Sequence, residues 1–281
     1  MKYIVTIFLQ ISLLLIISGC SVDKTEPKKE PELTHIPQKS VDTIVFGNFI
    51  PDSNQVEVPP GFYDSWEKVY FENIKLLYQK GHPLESGMKD FAQVYKTILR
   101  RNSQVFRLPE PSDTIVILYF TGIGQGQELS HTELPTVKGD TIFYWTGNKV
   151  GITAAMHVLH RWTNIKSQYD FIYNGILRLL DASGRDYHSM TLSFVDSSTF
   201  LTFDQLLADK HINVHAEAFQ SAEGASFVDY FIFKFGIDNF KLLYESQLPF
   251  NETVQTICNM NSKALENDWI SVIRKAVQAR K

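Results

Sequence analysis

The chain is short of cysteine, nearly balanced in charge, and lacks several motifs that would fix a function at once. Cys20 and Cys258 are the only cysteines in 281 residues. If Cys20 is otherwise engaged, no disulfide can form within the chain, and the core must hold by burial. A hydrophobic content of 44% with 13% aromatics is ample for that. The net charge is −4, and loss of Lys2 with a leader takes it to −5. Such a balance gives no basic footprint, which argues against nucleic acid as the partner. No internal repeat is present, and no serine stands in a Gly-x-Ser-x-Gly elbow. Gly122, Gly124 and Gly126 follow a strand-like run but lack the six-residue phosphate fingerprint, and Pro135 interrupts the helix that should come next. The segment reads as a flexible loop between two strands.

What is present begins at the N-terminus. Lys2 precedes the uncharged run "YIVTIFLQISLLLIISG", which has the form of a secretory signal peptide over 1–19. Gln10, Ser12 and the modest length speak against a spanning anchor, which needs about twenty apolar residues. Ile17, Ser18, Gly19 and Cys20 resemble a bacterial lipobox. That resemblance implies lipidation at Cys20 and a bilayer as partner. Residues 20–42 are polar, charged and broken by Pro27, Pro31 and Pro37. This is a composition that cannot offset its ordering entropy and acts as a tether reaching on the order of 60 Å. Ser21 resembles outer-membrane sorting signals. The expected location is the cell envelope, lipid-anchored at the outer membrane, with the periplasmic or surface side left open.

From residue 43 to 281 the pattern is that of one folded α+β unit, with a small strand-containing lobe over 43–150 and an all-helical lobe over 151–281. "DTIVFGNF" reads as a short strand. Trp66, Val69, Tyr70, Ile74 and Leu77 recur at three- and four-residue spacing, which predicts a helix over 65–81. Phe91, Val94, Tyr95, Ile98 and Leu99 predict a second. "DTIVILYF" and "GDTIFYW" are β-branched and aromatic runs and predict strands. After Thr153 the helical periods dominate, through "TAAMHVLHRW", "YDFIYNGILRLLDASG", "TFDQLLAD" and a long "AEAFQSAEGASFVDYFIFKFG" to "KALENDWISVIRKAV".

That order of phrases resembles the peptidase MA-like (gluzincin) domain of zinc metalloproteases, from "DTIVILYF" to the C-terminus. The family shows a strand, a Gly-Asp strand similar to "KGDTIFYW", a helix bearing His-Glu-x-x-His, and a second helix whose Glu-Gly pair supplies the third ligand. It closes on an acidic-Leu-Glu-x-x-Trp phrase like "ALENDWISVI". The resemblance places "MHVLH", residues 156–160, at the metal motif. Met156 then falls at the first ligand, His157 at the general base, His160 at the second ligand and Asn174 at the third. Only His160 matches. A thioether and a neutral amide are poor zinc ligands, so the resemblance implies a degenerate site with no cofactor, and a domain that binds a protein or peptide partner in the old substrate cleft. Two alternatives stand beside it. One is an active zinc metallopeptidase whose noncanonical ligands come from His160, His157, His211 and His215. The other is a glycan-binding surface lipoprotein using exposed tryptophans such as Trp145 or Trp162.

The remaining candidates have plainer expectations. His211 and His215 are four apart in a polar loop before the long helix, and His188 stands alone. Glu217 and Glu223 face solvent on that helix, and Cys258, flanked by apolar residues, is inert.

Overall fold

The computed structural model describes residues 64–130, 136–208 and 214–280. All belong to the unit Ser40–Lys281. The leader, the tether, Cys20 and the strand expected at "DTIVFGNF" lie outside the described residues.

The first element departs from the sequence reading. Residues 65–81 are a hairpin, not a helix, with β1 (Glu67–Phe71) and β2 (Ile74–Tyr78) pairing antiparallel around Glu72 and Asn73. Glu72 takes the left-handed conformation the tight turn requires, at φ 50°. Asn73 ties the turn to its surroundings. Its amide donates to the carbonyls of Pro111 and Asp113 at 2.9 and 2.8 Å, its Oδ1 accepts from Lys96, and its own carbonyl accepts from the Ile115 N–H. Lys96 also pairs with Glu110 and Glu72. A helix would have buried one stripe of this segment. The strand buries both faces of β2 because β2 lies inside the sheet.

Helix α1 (Met88–Val105) follows as predicted, then β3 (Ile115–Phe120). The glycine-containing segment is a helix, α2 (Ile123–Ser130), where a loop was expected. Gln125 makes this possible. Its Oε1 accepts from the Thr121 N–H at 2.9 Å and from the Thr121 hydroxyl, satisfying a helix-start donor that would otherwise be bare. The short β4 (Thr136–Lys138) and the predicted β5 (Thr141–Trp145) complete a sheet of order β1-β2-β3-β5-β4 among the described residues. β2, β3 and β5 run parallel, and β1 and β4 are antiparallel at the edges.

The apolar runs of the inner strands split at period two. Ile74, Leu76, Ile115, Ile117, Ile142 and Tyr144 enter the main core with α1. Leu77, Leu118, Phe120 and Phe143 form a second layer with Trp66, against which Leu129 of α2 packs.

The rest is helical: α3 (Val150–Trp162), α4 (Asp170–Leu179), α5 (Tyr187–Asp196), α6 (Phe203–Ala208), α7 (Val214–Phe235), α8 (Ile237–Glu245), α9 (Phe250–Cys258) and α10 (Ser262–Gln278). The aromatic tail of α7 is helix, and α5 is a helix the periodicity did not single out. Asp186 caps α5 by accepting from the Ser189 N–H at 3.1 Å. Thr202 and Gln205 form a reciprocal cap at α6, each side chain accepting from the other's N–H. Helix α7 is the spine, buried from Gln220 to Phe235 on all but its Asp229 and Phe233–Lys234 positions or their half-buried neighbours. It crosses α4 at two glycines. A Cβ on Gly175 would meet the Gly224 carbonyl carbon at 2.4 Å, and one on Gly224 would meet the Phe171 oxygen at 2.3 Å. Only hydrogen fits there. Around this crossing Phe171, Phe203, Phe227, Phe250 and Trp269 pack ring on ring. Among the described residues no helix is long and apolar enough to cross a membrane.

Candidate functional site

The "MHVLH" segment lies on α3 as expected, and the fold turns its residues in different directions. Gly139, at φ 53°, turns the chain between β4 and β5 and leaves Asp140 at the head of β5. α3 returns beneath, and His157 projects to that turn. His157 is fully buried, with Nε2 3.1 Å from Asp140 Oδ1. Burial lowers its pKa, and the Asp140 carboxylate works against that shift. In the neutral ring Nε2–H donates to Asp140, which leaves Nδ1 as the acceptor. Nδ1 is itself buried and has no hydrogen-bond partner among the described residues. An imidazole held in this way has no nitrogen turned toward solvent with which to serve as base.

Met156 is half-buried and packs against the main core. His160 is exposed in the last turn of α3, where a basic side chain suits the helix C-terminus. Asn174 is half-buried on α4, one residue before the glycine that seats α7. His211 lies outside the described residues. His215 belongs to the first turn of α7 rather than to a loop. Among the described residues, no three His, Cys, Asp or Glu side chains gather closely enough to hold one metal ion. Trp162 is a core residue, stacked 5.8 Å from Phe240, and does not line a cleft. Trp145 is half-buried against the second sheet layer.

Three groupings were not legible in the sequence. His188 is not alone. Its Nδ1 lies 2.8 Å from Ser226 Oγ, its Nε2 lies 3.0 Å from Asp229 Oδ2, and Ser226 Oγ is 3.1 Å from Trp269 Nε1. The indole can only donate, so Ser226 accepts from Trp269 and its own O–H donates to His188 Nδ1. His188 Nε2–H then donates to Asp229, and every polar atom in the relay is satisfied. The residue types are those of a hydrolytic triad, but the serine cannot attack. Ser226 is fully buried in the middle of α7, out of reach of any substrate, and its oxygen already accepts from the Trp269 N–H. The relay clamps α5, α7 and α10 together.

Glu223 reverses the expectation that it faces solvent. It is fully buried, and its Oε1 accepts from the Leu201 N–H at 3.1 Å while Oε2 has no hydrogen-bond partner among the described residues. Burial raises its pKa to about 8, opposed by the Leu201 N–H and aided by the neighbouring Glu266. Glu266 in turn accepts from the Phe203 N–H at 2.9 Å and pairs with Lys263. The two acids peg the chain between α5 and α6. Cys258 is buried, and burial pushes its thiol up to about 12, which makes it unreactive.

The third grouping is a cavity of about 360 Å³ between the C-terminal part of α1, the α4–α5 loop and α7, lined by none of Met156, His157, His160 or Asn174.

No protein-family model matches the chain, and no curated protein matches it.

Proposed function

We propose that this chain is a lipid-anchored cell-envelope protein whose gluzincin-like domain lacks a catalytic zinc site and acts as a binding or assembly module. The observation that carries the reading is the state of His157. At the position of the general base stands an imidazole with one nitrogen held by Asp140 and the other buried. The order of elements supports the family resemblance, with β3, then Gly139–Asp140 and β5, α3 bearing the motif, α4 bearing Asn174–Gly175, and α7 through α10 closing the chain. The pattern at Met156 and Asn174 supports loss of the metal, because neither side chain offsets the charge of a zinc ion. The anchoring half of the reading rests on Lys2 with the apolar run behind it and on Ile17 to Cys20.

Zinc content tests the catalytic half. A soluble form beginning at Ser21, incubated with zinc and gel-filtered, is expected to retain well below one equivalent by mass spectrometry. A full equivalent that disappears in His160→Ala would instead establish a working metal site with noncanonical ligands. The anchor is tested by Cys20→Ala, which should leave the membrane fraction. If it stays there, lipidation at Cys20 is not what holds the protein.

A further inference from the structure

The cavity between α1 and α7 is built rather than incidental, and its wall is the segment from Leu179 to Arg185. This wall is fixed from several sides. The Asp181 carboxylate turns inward, accepting from the Ser183 N–H at 2.8 Å and the Tyr187 hydroxyl at 3.2 Å. Gly151 of α3 abuts the Asp181 backbone so closely that a Cβ there would lie 1.8 Å from its oxygen. Ala182 is held at φ 57° and Gly184 at φ 69°. A side-chain-bearing residue such as Ala182 is strained in that conformation and persists there only where its surroundings impose it.

The charges on the lining are unevenly committed. Asp181 is consumed by the loop itself, and Asp229 is tied to His188. The two guanidiniums have no carboxylate among the described residues. Arg101 is aimed by neutral acceptors only, the Leu180 carbonyl at 3.2 Å and the Asn102 Oδ1 at 3.3 Å. Arg185 is exposed and makes no hydrogen bond or ion pair among the described residues. Between them the wall is apolar, from Val105, Leu179 and Ile232. A volume of about 360 Å³ is at the lower end of small-molecule sites.

We infer that this cavity binds a small amphipathic carboxylate, its anionic group held by Arg101 and Arg185 and its hydrocarbon part laid against Val105, Leu179 and Ile232. Guanidinium is the cation best matched to carboxylate, through two parallel N–H donors. A single negative charge is favoured over two, because Asp181 and Asp229 stand on the same lining and repel a dianion. The assignment is independent of the metal motif, none of whose residues lines the cavity.

The test is calorimetric titration of the full chain in detergent with hexanoate, and with hexanol, hexylamine and hexyl phosphate as neutral, cationic and dianionic counterparts. Hexanoate is expected to bind best, and Arg185→Gln to weaken it about tenfold while leaving hexanol unchanged. Arg185 makes no contact that folding needs, and the variant's circular dichroism should match that of the natural chain. Ile232→Asp should abolish hexanoate binding from the apolar side. Several results would overturn the assignment: equal affinity for hexanol and hexanoate, tighter binding of hexyl phosphate or hexylamine, an unaltered Arg185→Gln, or no heat with any of the four.

Discussion

Replacing Glu223 by glutamine should stabilise this protein at alkaline pH and leave it nearly unchanged in acid. Folded Glu223 keeps its proton to about pH 8, whereas the same side chain in the unfolded chain loses it near 4.5. The folded state therefore binds more protons across that window, and its stability falls as pH rises. The contribution is fully present below pH 4.5 and is lost as pH passes through about 8. A displacement of that size sets a ceiling on the order of 5 kcal/mol. Relaxation and water entry on ionisation reduce the measurable part to about 2–3 kcal/mol. Glutamine is the right replacement because it copies the protonated acid. Its Oε1 can still accept from the Leu201 N–H, and its amide takes the place of the Oε2 that has no partner. Urea unfolding of both proteins at pH 5, 7 and 9 isolates the effect, since titrating groups beyond the coupled neighbour Glu266 cancel in the difference. The two midpoints should nearly coincide at pH 5 and separate progressively to pH 9, with the variant more stable. Parallel stabilities across the range would mean that the Glu223 carboxylate reaches water, and the reasoning from burial would be refuted.

Two further substitutions probe the packing around the same spine. Gly175→Ala must push a methyl into the Gly224 backbone, and should cost about 3 kcal/mol or more by denaturant unfolding. A loss under about 0.5 kcal/mol would mean that α4 and α7 can slide apart. Ser226→Ala removes the bridge between Trp269 and His188, and should cost about 1–3 kcal/mol with a changed Trp269 fluorescence. An unchanged stability would show that water replaces the hydroxyl.

By itself the sequence determined the parts whose reasons are local. α1, α3, α4 and α8 to α10 carry periodic apolar faces, α6 opens on a cap, α7 is apolar over most of its length, and β3 and β5 are β-branched runs bounded by turn residues. For these, propensity and burial point the same way. The sequence also determined that Met156 and Asn174 are poor metal ligands, because that follows from side-chain chemistry alone. Tertiary structure decided the rest. Residues 67–78 have a spacing that fits a helix, but β2 gains a ladder to β3 and two buried faces, and Asn73 fastens its turn to Pro111 and Asp113 across about forty residues. No local period encodes a partner at that separation. Gln125 could be seen as a cap for α2 only once β3 was known to end before Thr121. Glu223 looked solvent-facing and His188 solitary because charged and polar side chains usually are. Their burial depends on which faces of α5, α7 and α10 meet. The direction of His157 depends likewise on the turn at Gly139 and Asp140, which brings a carboxylate from the sheet against the helix. Spacing along a chain fixes which side chains share a face, and only the packing of those faces fixes what each side chain meets.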